Sequence, residues 1–112
     1  MADLERYKLL VATIEYADGT GSKTRPAMVI TFNNEVIKVL RLTSQFDNKS
    51  EKIRSQYFEI IDWYKAGLKK PSWIDTVRYY EVSNKEYEFD ILGKLTDRDI
   101  ERFKEFIKER LK

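Results

Sequence analysis

"PAMVITFNNEVIKVLRL", residues 26–42, decides the fold. Two apolar runs rich in β-branched residues, 26–32 and 35–42, flank the pair Asn33-Asn34. Asparagine tolerates the positive φ that two-residue hairpin turns require, so the stretch reads as a β-hairpin. Folding back about that turn, Ile30 faces Ile37 and Met28 faces Val39, which lands both apolar sets on one side. The same register sets Arg25 opposite Leu42 and Thr24 opposite Thr43, leaving Arg25 and Thr43 on opposite faces because faces alternate with period two. A bulge or a three-residue turn would bring Arg25 and Thr43 to one face instead, and the sequence admits both registers. In either, a guanidinium and a hydroxyl arrive beside "GTGSKT", residues 19–24, read as a flexible loop able to bring backbone N–H groups and the Lys23 cation to an anion.

Outward from the hairpin, "YKLLVATIEY" (7–16) reads as a strand with Leu10, Ala12, Ile14 and Tyr16 on one face. Residues 56–61, 77–82 and 86–92 read as further strands, and 63–66 as one helical turn before Gly67. The end of the chain carries the plainest signal. Thr96 with Asp99 three residues later starts a helix in the manner of a capping box, and Ile100, Phe103, Ile107 and Leu111 follow at helical spacing, predicting an amphipathic helix to about Arg110. Five or six short strands and one terminal helix predict a mainly β, α+β domain built on a small curled antiparallel sheet.

With 112 residues, 42% of them hydrophobic, the chain fits one domain over residues 1–112. The opening MADLERYK is too polar for a signal peptide and no apolar run reaches the roughly 20 residues of a bilayer span; a cytoplasmic protein with no membrane partner is expected. There is no cysteine and no histidine. Thiol chemistry and thiolate metal sites are thereby excluded, as is the commonest general base, and no cofactor or metal site is read. The net charge of +2 hides an asymmetry: residues 20–72 hold ten Lys or Arg against five Asp or Glu, whereas residues 80–112 hold eight against nine. A basic middle attracts polyanions such as nucleic acid.

"KTRPAMVI", then "LTSQ", then "GLKKPSWID" and finally "LGKLTDRDIERFKEFIKERL" occur in an order that resembles the MazF/PemK family of toxin endoribonucleases. The resemblance implies a small SH3-like barrel with a C-terminal helix, the MazF/CcdB-like toxin fold, assembled as a homodimer and restrained by an antitoxin protein. It implies Arg25 and Thr43 as catalytic residues, with Lys23, Ser22, Ser44 and Gln45 around a single-stranded RNA substrate. The implied chemistry is metal-independent: the ribose 2′-hydroxyl attacks the adjacent phosphate, giving a 2′,3′-cyclic phosphate. An arginine offers a planar fork matched to phosphate, and a threonine a short donor.

The loop before the arginine departs from the family's pattern in lacking a glutamate, with Asp18 as its sole acid, and no general base is assigned. Two other classes therefore stay open: a catalytically inactive small barrel that binds RNA or a peptide, and a protein-directed toxin of the same fold. The bland readings stand beside these. Arg25 is also a plausible strand-start surface cation, Thr43 a β-favouring residue, and Tyr57, Trp63, Trp73 and Tyr79 are either core aromatics or base-stacking platforms.

Overall fold

Six strands and two helices follow one another in the computed structural model, which describes residues 4–15, 19–85 and 89–110. They are β1 (Lys8–Glu15), β2 (Ser22–Phe32), β3 (Val36–Thr43), α1 (Glu51–Arg54), β4 (Tyr57–Glu59), β5 (Trp73–Ser83), β6 (Phe89–Lys94) and α2 (Asp97–Arg110). All pairings are antiparallel, and the strands lie in the order β4-β5-β3-β2-β1-β6. Among the described residues β4 and β6 do not pair, so the sheet is open. That corrects the SH3-like barrel: a barrel needs its two edge strands hydrogen-bonded to each other, and here they end the ladder on opposite sides.

The hairpin exists, but its register differs from the one folded about Asn33-Asn34. Phe32 pairs with Ile37 and Thr31 with Lys38, then Val29 with Val39, Met28 with Leu40 and Ala27 with Arg41, with an irregularity around Ile30. Two features shift it. The Asn33 Oδ1 accepts from the N–H groups of Glu35 (2.8 Å) and Val36 (2.9 Å) and its N–H donates to the Val36 carbonyl (2.9 Å), so the turn centres on Asn34-Glu35, one residue later than expected. The irregularity at Ile30 then moves the register by one more residue, which changes the faces. Among the described non-glycine residues Tyr7 alone has positive φ, so neither asparagine adopts the positive φ expected of it. The expected pairs Ile30/Ile37 and Met28/Val39 are accordingly replaced, and the apolar residues divide between the two faces.

One face is covered by α2 and the turn over residues 61–67. Leu9, Met28, Leu40, Leu42 and Ile74 from the sheet pack there with Phe58, Ile60, Ala66, Ile100 and Phe103. The other face gathers Leu10, Ala12, Ala27, Val29, Ile37, Val39, Val82 and Phe89, with Leu4 and Tyr80 against them. Runs such as "AMV" and "VLRL" are thus buried on both sides, as central strands are. Where the turn meets β6, backbone approaches backbone: a Cβ on Gly67 would strike the Leu92 carbonyl, and one on Gly93 the Ala66 carbonyl.

The strand expected over 7–16 is β1, with Leu10 and Ala12 on a common face; Tyr16, like Asp18, Glu86 and Leu111, lies outside the described residues. Lys23 and Thr24, read as loop, are paired strand residues facing Ile14 and Thr13. The strand over 77–82 starts earlier, at Trp73, because an irregularity opposite Arg41 lets Asp75 to Arg78 bulge without ending the pairing with β3. The helix over the last residues is borne out to Arg110.

At its start, Thr96 Oγ1 accepts from the Asp99 N–H (3.4 Å), half of a capping box. The Asp99 side chain does not reach back. Fully buried, it accepts from the Ile61 (3.2 Å) and Asp62 (2.8 Å) N–H groups and from Arg102 (2.6 Å), fastening the 61–67 turn to α2. Asp62 completes the junction, accepting from Arg98 and from the Thr96 hydroxyl. Those hydrogen bonds, that of Arg98 first, pull the Asp62 pKa down to about 2. A carboxylate depressed on folding contributes stability above its unfolded pKa and loses it as pH falls through the folded one. Asp62→Asn is therefore expected to melt below wild type by a constant margin above pH 4, a margin that closes toward pH 2; a margin independent of pH in that range would contradict the assignment.

Candidate nucleic-acid interface

Sites on this sheet are set by strand parity and register. Arg25 lies in β2, paired across from Ala12 of β1 and half-buried. Ala12 and Ala27 both belong to the face away from α2, and Arg25, two residues from Ala27, shares it. The β2–β3 ladder stops at Ala27 and Arg41. Carried two residues further, the same register sets Arg25 level with Thr43, on one face. As far as the ladder is formed it follows the bulged register, so the predicted pairs Arg25/Leu42 and Thr24/Thr43 are not found, and Arg25 and Thr43 lie beyond its end without pairing to each other.

Thr43 ends β3, 7% exposed and paired with Trp73 of β5. Its Oγ1 accepts from the Gln45 N–H at 3.0 Å, a turn that directs the chain out of the sheet through Ser44 and Gln45. Gln45 is exposed and accepts from Asn48 at 3.2 Å; Ser44 is half-buried. Lys23 is exposed and follows Arg25 at period two, extending the basic row along β2. Ser22 opens that strand, its backbone paired with Glu15. Arg25, Thr43 and Lys23 thus belong to one face, with Ser44 and Gln45 at its rim.

Sequence reading missed a second group on the same face. Arg41, two residues before Thr43, donates from Nη2 to Asp75 Oδ2 at 2.7 Å, and the Asp75 Oδ1 accepts from the Val77 N–H at 2.9 Å. Tyr57 of β4 pairs with Asp75 and is buried. Burial, then the Asp75 charge, pushes the Tyr57 pKa up, so its hydroxyl remains a neutral donor. Beside them Phe46 stacks on Trp73 with centroids 4.7 Å apart, and the Arg54 guanidinium caps Phe46 at 5.7 Å. The signal for Arg41 was a lone cation between two leucines in "VLRL"; nothing local pointed to Asp75.

The concavity between β4 and α2 has the opposite character. Glu59, Glu105 and Glu109 outnumber Arg102 along it, beside Phe58 and Phe106, so its net charge repels a polyanion. The opposite face carries the cations Lys23, Arg25 and Arg41, the last paired with Asp75. Among the described residues no helix is long and apolar enough to cross a membrane. Compared with protein-family models and with curated protein sequences, the chain matches none.

Proposed function

We propose that this protein is a MazF/PemK-like toxin of a type II toxin–antitoxin system, a metal-independent endoribonuclease acting on single-stranded RNA in the cytoplasm. One observation carries the reading. Three short segments on which the resemblance rests, "KTRP", "LTSQ" and "KPSW", are far apart in sequence, yet they reach the adjacent strands β2, β3 and β5, where Thr43 pairs with Trp73. A guanidinium and a hydroxyl then share a face, and neither requires the sheet to be closed.

In the proposed reaction the 2′-oxygen forms a bond to phosphorus as its proton leaves, and the P–O5′ bond breaks as the 5′-oxygen gains one. Arg25 donates to the phosphorane oxygens, whose charge grows in the transition state, and Thr43 adds a second donor. Restraint by an antitoxin peptide and action as a homodimer belong to the same reading.

A second reading, RNA or peptide binding without cleavage, is favoured by Asp75. Both of its oxygens are engaged, by Arg41 and by Val77, so it is no free base. The discriminating experiment incubates the purified protein with a long unstructured RNA and with its 2′-O-methyl counterpart, each in chelator. Cleavage of the first alone is expected; an intact RNA that is nevertheless bound would favour the second reading.

A further inference from the structure

Arg41 has the geometry of a ligand-binding residue rather than of a simple tie. Its side chain is 24% exposed and that of Asp75 8%, and its Nε is buried without a hydrogen-bond partner among the described residues. Burial alone would weaken its charge, but the hydrogen bond and charge of Asp75 outweigh that and hold the pKa above the ordinary arginine value. The cation is therefore permanent. A buried ion pair contributes little net stability against a well-packed apolar pair, and an unpaired buried donor subtracts from it. Stability alone does not explain the arrangement.

Position does. Arg41 pairs across from Ala27, and Arg25 lies two residues further along the same strand, on the same face. With about 4.8 Å between strands and about 3.3 Å of rise per residue, the two Cα atoms stand roughly 8 Å apart on the diagonal. Long arginine side chains span that separation easily. Asp75 takes the Arg41 Nη2 at 2.7 Å, and the arginine belongs to the face that Arg25 shares.

We propose that Arg41 is a second phosphate-binding residue, holding the phosphodiester next to the one that Arg25 engages and so setting the path of the RNA strand across β2 and β3. This rests on the endoribonuclease reading. Asp75 is then a positioning residue, and Tyr57 a neutral neighbour that keeps water from the ion pair.

The test measures binding of an unstructured 2′-O-methyl oligoribonucleotide, which is not cleaved, by wild type, Arg25→Ala, Arg41→Lys and the double variant Arg41→Gln/Asp75→Asn. Lysine keeps the charge beside Asp75 but loses the fork, and the amide pair keeps a hydrogen bond without a buried charge, so at least one variant retains the fold by melting. Affinity is expected to fall about tenfold or more in each Arg41 variant that stays folded, with the cleavage step on saturating RNA changed far less than by Arg25→Ala. Wild-type affinity in a folded Arg41 variant, with Arg25→Ala weakened, would overturn the role of Arg41 alone. No binding by wild type would overturn both this inference and the nuclease reading.

Discussion

Arg25→Ala is expected to lower RNA cleavage at least about a hundredfold, the loss typical when one donor to a developing oxyanion is removed, while the melting temperature stays close to wild type. The separation of the two effects follows from where Arg25 sits. It is half-buried on β2 outside both core clusters, and among the described residues no ion pair or side-chain hydrogen bond ties it to the fold. Loss of activity without loss of fold would place Arg25 at the reacting phosphate. Arg25→Lys refines the result: a point charge still attracts RNA but does not match two phosphoryl oxygens at once, so binding is retained better than turnover. Cleavage by Arg25→Ala at the wild-type rate would remove this residue from the chemistry.

The second large effect is on stability. Asp99→Ala is expected to cost about 3 kcal/mol, near the lower end for breaking a buried charge pair, and to lower the melting temperature by about 10 °C or more. The carboxylate is wholly buried and satisfies two backbone N–H groups of the 61–67 turn as well as Arg102. Alanine would leave both N–H groups without that acceptor. Arg102 suffers less, since it is partly exposed and still donates to the Glu59 carbonyl at 3.0 Å. Asp99→Asn keeps one acceptor oxygen and is expected to fall between the two. Thermal melting of the three proteins at neutral pH checks the order, and a shift of only a few degrees for alanine would contradict the role given to Asp99.

Asp99 also shows where reading the chain reached and where it stopped. "LTDRDI" announced a helix start correctly, because Thr96 and the apolar spacing beyond it are local signals. That the acid three residues on would leave the helix and bind a turn 38 positions away is a tertiary fact with no local trace. The hairpin divides in the same way. Its two strands were legible from β-branched runs, whereas its register depended on where the turn centred and on an irregularity at Ile30, which no residue pattern marks. The four-residue α1 was missed among the charges of "NKSEKIR". Its one signal was Ser50, whose hydroxyl accepts from the Ile53 N–H.

At the candidate site, Arg25, Thr43 and their neighbours were nominated by resemblance, and strand parity then put Arg25 and Thr43 on one face. Arg41 and Asp75 were not nominated. Their contact depends on a bulge in β5 opposite Arg41, which no periodicity in "WIDTVRYY" reveals. Closure of the sheet was likewise expected from the resemblance rather than from any residue pattern. Strand count is the same in an open and a closed sheet, and the difference is decided by whether the edges β4 and β6 meet.

The central claim, that this face cleaves RNA through the ribose 2′-hydroxyl, is tested most directly by the chemistry of the product ends. A long unstructured RNA is digested with the purified protein in chelator, and the fragments are analysed by mass spectrometry. Fragments ending in a 2′,3′-cyclic phosphate, each followed by one beginning with a 5′-hydroxyl, are the expected result. Fragments with 3′-hydroxyl and 5′-phosphate ends, or an RNA left whole, would contradict it.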